Sequence, residues 1–432
     1  MKKAYINGFV LDGSLDMEAR EGLVVITEGS QIIDVKKKED VGVDALKDCE
    51  IVNLRGKYLM PGLINLHVHI PGSGKISKET SDTKKVVKLV LSNPITRAIG
   101  TFIYQKAAET TVKSGVTTIR SAAGIATYDT ELRDKIEAGK LVGPRVLASN
   151  MAIAPEDGHM AGSMAYEVFS ADEAAEMVHV IASDDPDWIK LMITGGVLDA
   201  KEAGSPGELK MPLEYVKAAC DEAHKLGLPV AAHVESLEGV KVALRGGVDT
   251  VEHGATLDEE AIKLFKETGA AVVQTITPAL YFSVVDKKYT EADEKDSING
   301  NIIFEGMTNC AKTCIEEGIP LGMGNDSGCP FSPQYGFWRE LVCMVKYVGV
   351  DNRYALHTAT LGNARIVGID EVTGSIEPGK SADMIVLDEN PLENLETLRN
   401  PSMVIARGEK VKKLKIKKYE DIEKILDETL AM

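Results

Sequence analysis

The chain predicts an α/β fold, a (β/α)8 TIM-type barrel that carries a small β-sandwich built from both chain termini. Three observations predict it. Strand-like and helix-like patterns alternate through the middle of the 432 residues, as a parallel barrel demands. Both ends instead read as short strands between turns. The side chains best suited to hold a metal ion fall one after another at the C-terminal ends of the apolar runs, the face on which barrels of this kind place their active sites.

Taken in order, residues 1–60 carry Leu23-Val24-Val25-Ile26 and Gln31-Ile32-Ile33-Asp34-Val35, separated by turn residues. Residues 367–432 return to that style with Asp383-Met384-Ile385-Val386-Leu387 and Met403-Val404-Ile405-Ala406. One composite sandwich, 1–60 plus 367–432, is therefore expected beside a barrel over 61–366. An α/β barrel routinely takes about 250 residues or more as one unit, so the length fits. Barrel strands are expected through His67, Val116 to Ile119, Val146 to Ala148, Ile189 to Ile193, Val230 to His233, Thr250 to His253, Ala271 to Ile276 and Leu321 to Asp326. Two connections read as candidate lids: Pro71 to about Ala108, with Gly72 and Gly74, and Ala200 to Lys210, with Gly204, Ser205, Pro206 and Gly207. Lys410 to Lys418 alternates lysine with apolar residues and reads as a solvated strand edge, where lysine discourages further pairing.

Charge and composition exclude several classes. A net charge of −17 and a pI near 5.1 argue against binding nucleic acid or an anionic membrane, and leave a small-molecule substrate as the expected partner. Met1-Lys2-Lys3-Ala4-Tyr5-Ile6-Asn7-Gly8 has no apolar segment after its lysines, and no stretch approaches the ~20 apolar residues of a membrane span. The six cysteines, Cys49, Cys220, Cys310, Cys314, Cys329 and Cys343, lack paired spacing, which suits a reducing cytoplasm. Cys310 and Cys314 lie one helical turn apart with no companion ligands and read as packing residues. Nothing in the chain demonstrates an oligomer interface, so a homo-oligomer stays open.

The chemistry-bearing residues begin with His67 and His69 in one buried run. Side chains two apart on a strand share a face, so both imidazoles can reach one ion. Alone, such a pair is as readily two satisfied histidines. Lys190 sits in the middle of Ile189-Lys190-Leu191-Met192-Ile193, where a buried ammonium must be paired, deprotonated or chemically changed. It either meets an acidic neighbour or is carboxylated on its amine, which would make it a ligand able to bridge two ions. His233 ends a third apolar run, His253 a fourth, and Asp326 lies in a glycine-bounded strand end. Imidazole and carboxylate are the ligands of catalytic zinc, though manganese, iron or cobalt accept the same atoms. The series His67, His69, Lys190, His233, His253, Asp326 therefore predicts a hydrolase with two divalent ions, zinc first among them.

Five segments carry a family resemblance. They are Met60-Pro61-Gly62-Leu63-Ile64-Asn65-Leu66-His67-Val68-His69, Gly115-Val116-Thr117-Thr118-Ile119-Arg120, Thr194-Gly195-Gly196-Val197, Val251-Glu252-His253-Gly254 and Gly374-Ser375-Ile376-Glu377-Pro378-Gly379-Lys380-Ser381-Ala382-Asp383. Together they resemble the amidohydrolase superfamily, and within it the imidazolonepropionase-related branch that includes zinc-dependent Xaa-Pro and Xaa-Arg dipeptidases. The resemblance implies that His67, His69 and Asp326 hold the more buried ion, that His233 and His253 hold the other, and that carboxylated Lys190 bridges them. Imidazolonepropionase uses one metal and lacks the lysine, so Lys190 points to the dinuclear, dipeptidase-like side. Two departures bear on the pocket. Such proteins usually continue the fifth-strand histidine with Ala-His-Gly, where this chain has Val234-Glu235-Ser236, and follow the second-strand arginine with aspartate, where it has Ser121.

The expected reaction is hydrolysis of an amide in a dipeptide or N-acyl amino acid by a hydroxide bridging the ions, with Asp326 taking its proton and passing one to the leaving amine. Hydrolysis of a cyclic amide or imide, deamination of a small ring, and a catalytically silent binding protein are the alternatives. His159, in Glu156-Asp157-Gly158-His159-Met160, is either a group that polarises the substrate carbonyl or an ordinary loop histidine. Tyr281 and Arg120 are weaker candidates for gripping substrate, against plain structural hydrogen bonding. His179 and His224 read as solvated, and His357 as a helix residue away from the metals.

Overall fold

The computed structural model describes residues 1–42, 46–75, 83–284 and 294–431. Every expected barrel strand is present. Leu63–Val68, Val116–Ser121 and Arg145–Leu147 form one parallel sheet. Ile189–Met192, Val230–Val234, Thr250–His253, Ala271–Gln274 and Leu321–Met323 run in order through a second. Two seams join the sheets into a barrel. At one, Val68 bridges Ser327 in parallel and the His69 amide donates to the Ser327 carbonyl at 2.7 Å. At the other, the amides of Asp187 and Trp188 donate to the Ala148 carbonyl at 2.8 and 3.1 Å.

Nearly continuous apolar runs suit these strands because both faces are covered: inward side chains fill the barrel and outward ones meet helices. All six residues of Leu63–Val68 and all five of Val230–Val234 are buried. Two short strands were not anticipated, Ala152–Pro155 and Ala165–Val168, which pair at the edge of the second sheet after the third barrel strand. The eighth strand ends before Asp326, at Met323. At Gly324 a Cβ would come within 2.4 Å of the His67 Cβ, so the chain passes close against the first strand there.

The two ends share one sheet. Glu409–Lys410, Met403–Ala406, Met384–Leu387, Tyr58–Pro61, Phe9–Val10 and Arg20–Glu21 lie in that order, and a four-stranded sheet of Gln31–Lys37, Leu23–Glu28, Lys2–Ile6 and Cys49–Asn53 completes the region. Tyr5, Val25, Ile32, Leu59, Met384 and Ile405 belong to its separate core.

The tail departs from expectation in two places. Only Lys410 of the Lys410 to Lys418 stretch is in a strand; the rest is irregular, and Lys418 Nζ donates to Asn400 Oδ1 at 3.1 Å. Beyond it lies a helix, Glu420–Ala431, instead of further strand. Ile422, Ile425 and Leu426 follow the i, i+3, i+4 spacing of one helix face, and that face packs on Tyr281 and Phe331 of the barrel region.

Of the first candidate lid, residues 76–82 lie outside the described residues. The remainder folds as Thr83–Leu91 and Pro94–Lys113, meeting at 114°. Asn93 caps the second helix with a reciprocal bond from Thr96, and Pro94 opens its first turn. Among the described residues no single helix is long and apolar enough to cross a membrane; this bent pair alone meets that test, by length and composition. The second candidate lid is tied down: Asn299 accepts from the Gly204 amide at 2.8 Å and donates to the Glu202 carbonyl at 3.0 Å.

Candidate metal centre

His67 and His69 come off the end of the first strand with their rings already oriented. His67 Nδ1 lies 2.7 Å from Glu252 Oε2, and His69 Nδ1 lies 3.3 Å from the Ala123 carbonyl. Each ring thereby turns Nε2 towards Asp326 Oδ1, at 3.6 and 3.2 Å. Outer partners of this kind fix the tautomer and direction of a metal-ligating histidine.

A second group forms across the barrel from His233, Glu235 and His253. His253 Nδ1 is 2.7 Å from Thr275 Oγ1, which leaves Nε2 for the cavity. In each group, one potential ligand atom per residue lies within 4.8 Å of the other two. Two of these residues need unusual backbone: His253 has φ 70° and Asp326 φ 52°, the left-handed region that side chains rarely enter. For His253 the reason is visible. Neighbours on a strand face opposite ways, yet Glu252 reaches His67 and Arg120 while His253 also lines the cavity. The backbone turn at His253 brings both side chains inward.

The donor set fits divalent ions. Lys190 Nζ, His233 Nε2, His253 Nε2, Asp326 Oδ1 and Glu235 Oε2 are all buried without a hydrogen-bond partner among the described residues. The imidazole and carboxylate atoms among them are lone-pair donors whose burial is costly unless cations satisfy them, and the Lys190 amine can join them only as free base or after carboxylation. Burial, then the nearby Lys190 charge, pushes the His67 imidazole down to about 4; burial, then neighbouring imidazoles, holds His233 and His253 well below the usual value. Near neutral pH all three rings are uncharged, the form that ligates metal. Burial pushes the Lys190 amine down to about 8 although Glu252 resists, so a useful fraction is free base, as carboxylation by CO2 requires. Burial, then the charges of Asp326 and Asp199, pushes the Glu235 carboxyl up to about 8.

Arg120 and Tyr281 are corrected by the structure: neither lines the cavity. Arg120 lies beneath it, donating from Nε to the Leu66 carbonyl at 2.9 Å, from Nη1 to Thr250 Oγ1 at 3.0 Å and from Nη2 to Glu252 Oε1 at 2.6 Å. Each of its three nitrogens donates one hydrogen bond, and its work is to hold Glu252. Burial alone would raise the Glu252 carboxyl, but Arg120 and the bond to His67 keep it well below the usual range. Tyr281 donates its hydroxyl to the Leu426 carbonyl at 3.2 Å and stacks on Phe331, so it anchors the C-terminal helix.

His159 does reach the cavity. Its ring stacks on His233, centroids 4.3 Å apart, and Nδ1 lies 2.5 Å from Asp199 Oδ2. His179 and His224 pair with Glu222 and Asp249 and His357 Nδ1 with the Gly13 carbonyl, and none of the three lines the cavity. Sequence reasoning missed Asp199, Glu252 and Glu235. Glu235 carried a usable signal, since His233 and Glu235 repeat the two-residue spacing of His67 and His69. At the Ser121 departure the structure restores a carboxylate from another element: Ser121 Oγ donates to Asp129, on the helix Tyr128–Glu137, which also accepts from the Asn150 amide at 3.1 Å. The cavity holds about 390 Å³, the scale of a small-molecule site, and Met160, Met164, Leu198, Phe282, Ile303 and Met307 give it apolar walls.

Comparison with known proteins agrees with this geometry. Residues 58–411 match the amidohydrolase family. Ochratoxinase of Aspergillus niger is 24% identical, covering 92% of this chain and 83% of its own. Imidazolonepropionase of Acinetobacter baumannii is 22% identical, covering 90% and 94%. Among solved structures, a candidate prolidase from Bifidobacterium longum superposes with TM-score 0.86 at 33% identity, covering 99% and 98%. A Xaa-Pro dipeptidase with methionine bound in its active site gives 0.81 at 29%, covering 95% and 99%. With its barrel, its donor set and this match over most of its length, the chain belongs to the amidohydrolase family and is a hydrolase acting on carbon–nitrogen bonds.

Proposed function

We propose that the protein hydrolyses the amide bond of a small substrate, a dipeptide or N-acyl amino acid, using two divalent ions, zinc for preference, with carboxylated Lys190 between them. The observation that carries this reading is the meeting of His67, His69, Lys190, His233, His253 and Asp326 around one cavity, with Lys190 Nζ, His233 Nε2, His253 Nε2 and Asp326 Oδ1 lacking hydrogen-bond partners among the described residues. The size of the cavity and its apolar walls suit a compact substrate, and the Xaa-Pro dipeptidase and ochratoxinase likenesses support the bond type.

Divalent ions supply Lewis acidity, making water a stronger nucleophile near neutral pH and polarising a carbonyl. The residues of the chain do the rest. Asp326, beside His67 and His69, accepts the proton that the attacking water releases and returns it to the amine as the C–N bond breaks. Asp199 engages Nδ1 of His159 and leaves Nε2 as the remaining polar atom of that ring for the substrate carbonyl. The apolar walls exclude bulk water, which strengthens both interactions.

A screen of metal-loaded protein against dipeptides, N-acyl amino acids and cyclic imides tests the proposal. Turnover of the first two sets is expected. Turnover of cyclic substrates alone would reject it in favour of ring opening, and two bound ions without turnover of any set would favour a binding protein.

A further inference from the structure

We infer that Glu235 is a third protein ligand of the second ion, so that His233, Glu235 and His253 suffice to hold it even when Lys190 is replaced. The inference rests on the two-ion reading above and adds to it a ligand specific to this chain, at the place where the sequence departs from its resemblance.

The first support is position. Glu235 follows His233 by two residues at the end of the fifth strand, so both side chains share the inward face, as His67 and His69 do on the first. Its backbone is held on both sides. The amide donates to Thr194 Oγ1 at 3.0 Å, and Gly207 packs so close to the Glu235 carbonyl that a Cβ there would lie 2.3 Å from its oxygen. The carboxylate is therefore delivered by fixed structure.

The second support is its surroundings. Glu235 is only 9% exposed, Oε2 has no hydrogen-bond partner among the described residues, and a ligand atom of Glu235 lies within 4.8 Å of one from His233 and one from His253. The imidazole Nε2 atoms facing it are likewise unsatisfied. The other carboxylates lining the cavity, Asp199 and Asp326, are anions, and Lys190 is the one lysine or arginine among the described residues that line it. A buried carboxylate in that company calls for a cation.

The third support is chemical. Two histidines and a glutamate form a complete protein ligand set for catalytic zinc, which leaves one position for water or substrate. Two divalent ions also bring four positive charges, of which Asp326 and a carboxylated Lys190 offset only two; Glu235 offsets a third. The chain thus has two self-sufficient triads, His67/His69/Asp326 and His233/Glu235/His253, with Lys190 between them as a reinforcing bridge.

Chelator-stripped full-length protein titrated with Zn²⁺ by calorimetry, and with Co²⁺ by visible absorption, reads each site without reference to activity. Wild type should take two ions. Glu235→Gln should keep one and bind the other more weakly by more than the roughly 10–100-fold that loss of an outer partner costs. Glu235→Asp, which retains a carboxylate, should recover part of that loss, and its recovery separates ligation from a folding defect. Lys190→Met should still take two ions, whereas Lys190→Met with Glu235→Gln should take one. Unchanged binding of both ions by Glu235→Gln, including a case in which only KM for substrates with a free amino group rises, overturns the inference and leaves the two-ion reading intact. Wild type that binds no ion overturns both.

Discussion

In the group of His67, His69 and Asp326 both imidazoles have outside partners at Nδ1 and one carboxylate oxygen is unsatisfied, whereas His233, Glu235 and His253 each bring an unsatisfied ligand atom. In the first group His69 Nε2 comes within 3.2 Å of Asp326 Oδ1, and both rings are braced from outside by Glu252 and the Ala123 carbonyl. In the second, His253 is braced by Thr275 and His233 by the stacked ring of His159, yet both Nε2 atoms and Glu235 Oε2 have no hydrogen-bond partner among the described residues. The first group sets a carboxylate within 3.2 Å of one of its imidazoles, although Asp326 Oδ1, like the atoms of the second group, has no hydrogen-bond partner among the described residues. The second gathers lone-pair donors that, on the proposed reading, a cation would satisfy.

The largest expected effect comes from removing the carboxylate of the first group. Asp326→Asn takes away the proposed ligand and the proposed proton carrier together, and kcat on the best substrate from the screen should fall by about 10³-fold or more, since positioned proton transfer alone contributes roughly 10²–10⁴-fold. A fall of only a few-fold would leave Asp326 no part in proton transfer.

Next in size is the brace. Glu252→Gln weakens the orientation of His67, and affinity for the first ion should drop by roughly 10–100-fold while the second site keeps its own. Calorimetric titration resolves the two. Equal weakening of both sites would mean that the two groups are not separately organised.

Lys190, the proposed bridge between the groups, gives a pH-dependent prediction. With the Lys190 amine at about 8, it is protonated and unreactive towards CO2 below that pH and free above it. At fixed dissolved CO2, activity recovered on adding metal to stripped protein should return roughly tenfold faster per pH unit below about 8 and level off above it. A rate still climbing steeply at pH 9 to 10 would indicate an ordinary lysine amine.

The smallest effect is expected outside both groups. Tyr281→Phe removes one hydrogen bond to the Leu426 carbonyl, so stability should fall by about 1 kcal/mol in urea unfolding with KM unchanged. A raised KM would return Tyr281 to the substrate site.

Much of this was legible in the chain because the relevant signals are local. A buried strand is an apolar run, and a metal pair on it is two donors two residues apart. The C-terminal helix was equally local, since Ile422, Ile425 and Leu426 keep helical spacing, but the strand-like runs before it and the alternating lysines of 410–418 outweighed that signal. Arg120 and Tyr281 are weighed as substrate contacts against structural hydrogen bonding, and their partners bear out the structural reading. Each lies near the end of a barrel segment, and polar residues there read as substrate contacts until their partners are known.

The sequence by itself determined the order of barrel elements and singled out His67, His69, Lys190, His233, His253 and Asp326 as candidate donors, since each stands in or just after an apolar run and strand periodicity puts His67 and His69 on one face. Only the tertiary structure decided that Glu252 serves His67 and Arg120 from 185 and 132 residues away, that Asp129 supplies a carboxylate beside Ser121, and that Glu235 meets His253 instead of solvent. Those pairings depend on how strands far apart in the chain come together around one cavity, and on the left-handed turns at His253 and Asp326, which no local pattern of residues specifies.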